Sequence, residues 1–197
     1  MFDKDNMHIP WLAFLRRMNG FIFSPVKTWQ QVSHEPKSGK QVFTGYALPL
    51  LFISGFADFY YHLNMPDIRV EPYSLAVTAF IFSVVGDAFS ITISAWFLAL
   101  LGQNFKVNAS YSVVLKILSY SITAFALVSA LVKFFPAASI LYILGFYSFY
   151  ILFQGLNTFF TFPEDKKTAF VFISILLIVV VFSVTGILIN VGASFLF

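Results

Sequence analysis

Long runs without charged residues dominate the second half of the chain. No Lys, Arg, His, Asp or Glu lies between Lys133 and Glu164, and none follows Lys167 up to Phe197. Both runs are rich in Phe, Ile, Leu and Val, and each exceeds the roughly 20 residues that an α-helix needs to cross a ~30 Å hydrocarbon core. The pattern therefore predicts helices that span a membrane.

The same criterion, applied to the whole chain, predicts five spans separated by short connections that contain Pro or Gly. The expected fold class is an all-α integral membrane protein with five transmembrane helices, preceded by one or two short amphipathic cytoplasmic helices. Residues 1–40 form the N-terminal segment with the short helices, and residues 41–197 form the transmembrane domain. The expected spans are residues 42–63, 73–101, 110–135, 137–162 and 168–195.

The N-terminal segment contains an amphipathic pattern, with one apolar stripe and basic residues outside it. Apolar side chains recur at steps of three and four residues from Trp11 to Ile22, while two adjacent arginines fall outside the stripe. Such a helix fits either an interfacial position among lipid head groups or a position against the protein's own inner face. A second helix is expected to start at Ser24-Pro25 and to run to about Ser33. The candidates for interfacial membrane contact are Trp11, Phe14, Leu15, Arg16, Arg17 and Met18.

Composition supports a membrane protein and removes several classes of chemistry. Hydrophobic residues make up 59% of the chain and charged residues 11%, against roughly 25% charged residues in globular domains. The absence of cysteine excludes disulfides, thiolate nucleophiles and cysteine-based metal sites. The net charge of +3 is too small to indicate nucleic-acid binding. The expected partners are membrane lipids, with other membrane proteins or a second copy of the chain as further candidates, and no cofactor is expected.

The distribution of the basic residues predicts an orientation. Lys and Arg favour the cytoplasmic loops of membrane proteins. With five spans and a cytoplasmic N-terminus, the outer side receives only Arg69 and Lys133, and the C-terminus lies on that side. The inner side receives Lys4, Arg16, Arg17, Lys27, Lys37, Lys40, Lys106, Lys116, Lys166 and Lys167.

Apart from Lys133, close to the outer end of the third span, three charged residues fall inside the predicted spans, where each costs at least a few kcal/mol on insertion scales. Lys116 has a stem long enough to carry its ammonium to the inner interface. Asp87 is too short to leave the middle of its span, and Asp58 lies in the same outer half of the bilayer. Asp87 is therefore either a proton- or cation-responsive carboxylate that lines a cavity with Asp58, or a structural residue bonded to hydroxyls. The candidate hydroxyls are those of Ser83, Thr92, Ser119, Tyr120 and Ser121.

The other polar residues of the spans give weaker signals. Gln154 and Asn157 lie one turn apart, and such side chains more often join helices than bind a ligand. The three histidines, His8, His34 and His62, have no metal-ligand spacing, so no metal site is expected. No catalytic motif of the common hydrolase or nucleotide-binding types is present. The candidate intramembrane polar site is therefore Asp58, Asp87, Tyr120, Lys116, Gln154 and Asn157.

Several short patterns resemble the Yip domain family, whose members are integral membrane proteins named for interaction with Ypt/Rab GTPases. Their order along the chain carries the resemblance, which covers about 170 residues, and no single pattern is specific. The patterns are Phe23-Ser24-Pro25 with Trp29; Gly45, Tyr46 and Pro49; Leu101-Gly102 before Tyr111; Ser119-Tyr120; the stretch from Gly145 to Gly155 with Tyr147 and Tyr150; and Lys166-Lys167 with Ala169.

The resemblance implies a five-helix membrane domain with a cytoplasmic N-terminus and supplies no catalytic residue. The acidic, Gly- and Pro-rich motif that eukaryotic members carry before their first span is missing, so the resemblance does not imply Rab binding. It favours the bacterial branch and a location in the bacterial cytoplasmic (inner) membrane.

Two functions from different classes are compatible with these features. The leading hypothesis is a non-enzymatic membrane scaffold or adaptor that organises lipids or other membrane proteins. The alternative is a transporter, channel or lipid-moving protein that uses the intramembrane carboxylates Asp87 and Asp58. A cavity shared by the two carboxylates would favour the alternative.

Overall fold

The computed structural model describes residues 10–64, 72–162 and 166–194, and its regular elements within these ranges are all helical. Lys4, His8 and Arg69 lie outside the described residues, as does residue 195, the expected end of the fifth span. Two short helices come first, α1 (Pro10–Phe23) and α2 (Pro25–Ser33). Pro25 occupies the first turn of α2, where its missing N–H has no helical partner to lose.

Five long helices follow, and each is long and apolar enough to cross a membrane. Their ends lie within three residues of the expected ones, so the predicted fold class is confirmed. The helices are α3 (Gly39–Asn64), α4 (Pro72–Asn104), α5 (Tyr111–Phe134), α6 (Pro136–Phe159) and α7 (Lys167–Ser194).

Helix α3 is not a regular α-helix along its whole length. A π-helical stretch occupies Phe43–Ala47 and ends two residues before Pro49. Pro49 has no N–H to donate to the carbonyl of Gly45, and its ring crowds that carbonyl. A wider turn relieves this crowding, which explains the position of the π-helical stretch.

Helix α5 is interrupted at Ile122, where two hydroxyl groups bond to carbonyls of their own helix. Ser121 Oγ donates to the carbonyl of Ile117, and Thr123 Oγ1 donates to that of Tyr120. Such bonds compete with the backbone ladder and bend helices. Beyond the bend, the backbone N–H of Phe125 donates to the Oγ of Ser148 on α6, at 2.8 Å.

Helix α6 begins as a 3₁₀-helix over Pro136–Phe146 and continues as an α-helix from Tyr147. A 3₁₀-helix rises about 2.0 Å per residue against about 1.5 Å in an α-helix. The 3₁₀ stretch therefore gives α6 more reach across the membrane than an α-helix of the same length. Gly145 makes room for the ring of Phe125, since a Cβ at Gly145 would lie 3.0 Å from Phe125 Cδ2.

The two ends of the bundle differ in packing. We call the end that carries α1, α2 and the starts of α3, α5 and α7 the N-terminal end, and the opposite end the far end. Helix α7 is buried only near its start, at Phe170, Val171 and Ser174. Farther along, Gly86 of α4 lies against Ile189 of α7 so closely that a Cβ there would collide.

Helices α1 and α2 pack onto the N-terminal end of the bundle. Phe21 and Trp29 are both 0% exposed. The indole N–H of Trp29 donates to the carbonyl of Ile151 on α6 at 2.9 Å. Gly155 permits this approach, because a Cβ on Gly155 would lie only 2.7 Å from Trp29 Cζ2. The short helices are thus part of the bundle's core.

Candidate functional site

A polar cavity of about 520 Å³ opens into the far half of the bundle, between α3, α4, α5 and α7, with Tyr142 of α6 also in its lining. Its lining includes Asp58 and His62 from α3, Asp87 from α4, Lys133 from α5 and Asn190 from α7. Asp87 lies close to the middle of α4, so the cavity reaches about half-way through the bundle. Asp58 and Asp87, singled out separately in the sequence, therefore face one shared space.

Asp58 and Lys133 form an ion pair on the wall of this cavity. Lys133 Nζ lies 2.6 Å from Asp58 Oδ2, and the two side chains are 19% and 15% exposed. Bringing two charges out of water is costly, and the pair persists because each group neutralises the other at hydrogen-bond distance. The pair therefore adds no net charge to the cavity.

Asp87 is the third charged residue of the cavity. Within the described ranges its carboxylate has no direct hydrogen bond or ion pair, and it interacts at longer range with Lys133 and Asp58. Two of the hydroxyls considered as its partners are engaged elsewhere: Thr92 bonds to the carbonyls of Ala88 and Phe89 of its own helix, and Ser121 bonds within α5. The arrangement is thus a carboxylate facing a cavity.

An apolar groove of about 320 Å³ adjoins the polar cavity. Phe125, Tyr142 and Phe182 line both spaces, so the two are direct neighbours. Several lining side chains, including Phe146 and Val179, are exposed at the molecular surface, so the groove is accessible from the side of the bundle. The remaining apolar lining comes mainly from Ile91, Leu118, Phe149, Leu152 and Ile178.

Tyr120 lies at the N-terminal end, away from the polar cavity, in a cluster of aromatic rings. Its ring centroid is 4.7 Å from that of Phe21, 4.8 Å from that of Tyr46 and 5.8 Å from that of Trp29. These spacings fall within the range of favourable ring pairs, each worth about 0.5–1.5 kcal/mol beyond burial. The cluster joins α1, α2, α3 and α5, so Tyr120 contributes to the packing of these helices against one another.

Lys116 also belongs to the N-terminal end and is 7% exposed. Its Nζ donates to the backbone carbonyl of Glu35 at 3.2 Å, in the linker between α2 and α3. The side chain of Glu35 in turn forms an ion pair with Arg17 of α1. The long stem of Lys116 thus extends to the N-terminal end of the bundle, where its ammonium meets the protein's own linker.

Gln154 and Asn157 are half-buried on the second half of α6. Asn157 Oδ1 is shielded from solvent and has no hydrogen-bond partner among the described residues. The backbone carbonyl of Gln154 accepts a bond from the hydroxyl of Thr158. The six residues of the candidate polar site therefore separate: Asp58 and Asp87 share the cavity, while Tyr120, Lys116, Gln154 and Asn157 lie outside its lining.

The candidate interfacial residues divide between two faces of α1. Phe14 and Met18 pack against the core, and the Phe14 ring lies 5.3 Å from that of Tyr46. Trp11 is 58% exposed, and Leu15 is exposed beside it. Arg16 is exposed, whereas Arg17 is half-buried against Glu35. One helix thus has both a protein-facing and an exposed apolar surface.

Lys133 and Glu35 both form ion pairs with residues of the candidate lists, and sequence reasoning assigned neither of them to a site. Lys133 counted only as an outer basic residue, although its position at the end of a span places it at a depth similar to that of Asp58. Two opposite charges at the same depth were thus the sequence pattern from which the ion pair could have been predicted. Among the described residues, no group of three His, Asp or Glu side chains is arranged to hold a metal ion.

Several residues that carry the family resemblance meet at the N-terminal end. Trp29 packs against Gly155, Tyr46 packs against Tyr120, and the hydroxyl of Tyr147 donates to the carbonyl of Ile22. Comparison with curated proteins and with solved structures gave no match. The family model described as the Yip1 domain matches residues 19–187. This match covers most of the chain, from within α1 to within α7, and the chain belongs to the Yip1 domain family of membrane proteins.

Proposed function

We propose that this protein is a non-enzymatic scaffold or adaptor of the bacterial cytoplasmic membrane that organises lipids and other membrane proteins. The observation that carries the proposal is the rigid attachment of α1 and α2 to the bundle. Trp29 and Phe21 anchor the two helices, and the Arg17–Glu35 ion pair ties α1 to the linker that follows α2. This attachment presents a fixed surface to partners.

The surface presented by α1 and α2 combines apolar and basic side chains. Membrane interfaces favour this combination, because apolar groups enter the head-group region while Lys and Arg contact anionic lipid. A partner membrane protein with an acidic loop would meet the same complementarity. The exposed residues are Trp11, Leu12, Leu15, Arg16, Phe23, Val26 and Lys27.

We assign the N-terminal end to the cytoplasm. Of the ten Lys and Arg residues in the described ranges, nine belong to this end and only Lys133 belongs to the far end. The positive-inside rule associates such an excess with the cytoplasmic side. Because the number of spans is odd, the C-terminus then lies on the opposite side. The acidic motif of eukaryotic members is missing before α3, which supports the bacterial assignment.

Photo-crosslinking in living cells tests the scaffold role. A photoreactive amino acid at Val26, on the exposed surface of α2, is expected to capture one reproducible set of membrane proteins or lipids. The matched control places it at Phe89, an exposed residue near the middle of α4. We expect partner proteins to be captured from position 26 and not from position 89. Identical products from both positions would contradict the scaffold role.

A second function, movement of an ion or a lipid, is favoured by one specific observation. Asp58 and Asp87 line the same cavity, and ionisable residues within a membrane domain often mark substrate or ion pathways. Flux of protons, monovalent cations and labelled lipids across liposomes that contain the purified protein tests this role. A flux that the Asp87→Asn variant abolishes would replace the scaffold proposal with this one. The scaffold proposal expects no difference from empty liposomes.

A further inference from the structure

We propose that the polar cavity and the apolar groove together bind a monocationic amphiphile, with its ammonium head at Asp87 and its alkyl chain in the groove. This site goes beyond the scaffold role and supplies a ligand class to the alternative transport role. It is a binding site in the far half of the bundle, remote from the surface of α1 and α2. Its test is an equilibrium measurement, so the absence of flux would not bear on it.

The charges of the cavity favour a ligand with a single positive charge. Among the residues that the structure describes, the ionisable groups that face it are Asp58, Asp87, Lys133 and His62, together with the phenol of Tyr142. Lys133 and Asp58 neutralise each other at 2.6 Å, so of these carboxylates that of Asp87 is the one left over. Inside a membrane domain the effective dielectric constant is low, so an ammonium beside this carboxylate gains more than it would in water.

Other head-group charges fit less well. An anionic head would face the Asp87 carboxylate, and Lys133, the lysine among the described lining residues, is already paired with Asp58. A zwitterionic head would satisfy Asp87 with its ammonium but would bring a phosphate, and the described lining residues include no lysine or arginine that is free to pair with it. A single ammonium therefore gives the best match between ligand and cavity.

The groove supplies the place for the alkyl chain. It begins at the rings of Phe125, Tyr142 and Phe182, which also border the cavity that holds Asp87. It lies between α5, α6 and α7, and its lining is almost wholly apolar. The two volumes, about 520 and 320 Å³, fall in the range of about 300–1,000 Å³ that is usual for ligand sites. A polar cavity that directly borders an apolar groove matches the two parts of an amphiphile.

The test compares chain-matched probes on the unaltered protein in phosphatidylcholine nanodiscs, with empty nanodiscs as the blank. Dodecyltrimethylammonium carries one positive charge, and dodecylphosphocholine carries the same chain with a zwitterionic head. We expect the cationic probe to bind at least about tenfold more tightly, as measured by calorimetry or by radioligand binding. Equal affinities for the two probes, or tighter binding of the zwitterion, would overturn the proposal.

Two variants locate the head and the chain. Asp87→Asn keeps the size of the side chain and removes its charge, so affinity for the cationic probe should fall about tenfold to a hundredfold. Ser183→Trp fills the groove, because Ser183 lines it, and should weaken binding at least about tenfold. Val184→Trp is the matched control, since Val184 is exposed and lines neither space. Unchanged affinity in the Asp87 or the Ser183 variant would refute the assigned site, and the probe comparison stands if a variant fails to fold.

Discussion

At the scale of single residues, one half-buried ion pair joins two helices in the far half of the bundle. Lys133 of α5 and Asp58 of α3 meet on the wall of the polar cavity, where each side chain is less than one-fifth exposed. Replacing a whole buried pair by apolar groups is often harmless, whereas removing one partner leaves the other charge uncompensated. The two carboxylates of the cavity therefore differ: Asp58 is paired with a lysine of another helix, whereas Asp87 faces the cavity without a direct partner among the described residues.

A double-mutant cycle should expose this difference. Asp58→Asn leaves the Lys133 ammonium without its counter-charge and is expected to lower the free energy of unfolding by about 3 kcal/mol. Lys133→Met should have a similar effect, and the double variant should recover much of the loss. Reversible unfolding in mixed micelles measures the coupling, expected at about 1–3 kcal/mol. Strictly additive losses would mean that the pair contributes no specific interaction.

At the scale of elements, the attachment of the short helices depends on one glycine of α6. The backbone of α6 at Gly155 lies so close to the indole of Trp29 that a methyl group has no room. Trp29 also reaches the carbonyl of Ile151, one turn earlier on the same helix. Part of the apolar surface of α1 and α2 is thus buried against the bundle, and the rest of it is exposed.

Gly155→Ala should therefore loosen α1 and α2. The new Cβ would lie 2.7 Å from Trp29 Cζ2 and 3.0 Å from Ile117 Cγ2, and overpacking of this kind costs about 1–3 kcal/mol. We expect faster hydrogen exchange in α2 and easier proteolysis near residue 24. Gly192→Ala is the control, because nothing lies within 4 Å of its added Cβ. Equal exchange in the two variants would show that Gly155 does not secure the helix pair.

At the scale of the whole molecule, the uneven distribution of basic residues predicts which end faces the cytoplasm. The natural absence of cysteine allows single cysteines to report this directly. Gln30→Cys and Asn108→Cys, exposed at the N-terminal end, should react with an impermeant maleimide only after cells are opened. Ala137→Cys and Ser194→Cys, exposed at the far end, should react in intact spheroplasts. Reaction of all four from one side would contradict the five-span topology.

The number and approximate ends of the long helices could be predicted because the length of an apolar run is a local property of the chain. The interruptions of the helices could not. The break at Ile122 depends on hydroxyl bonds and on Ser148 of another helix, and the 3₁₀ geometry of α6 has no periodicity that distinguishes it from an α-helix. Whether Asp58 and Asp87 face the same space depends on how each helix is rotated about its own axis. The sequence does not determine this rotation, because all faces of these helices are similarly apolar.

The polar cavity enters from one end and stops near the middle of the bundle, beside Ser90 and Phe125. With the proposed orientation, it is in contact with the outer leaflet alone. The same ligand confined to the inner monolayer would meet the closed aromatic cluster around Tyr120. Occupancy of the site would then depend on how the ligand is distributed between the two monolayers. Flipping of the ligand from one monolayer to the other would fill or empty the site while the total lipid composition of the membrane stays constant.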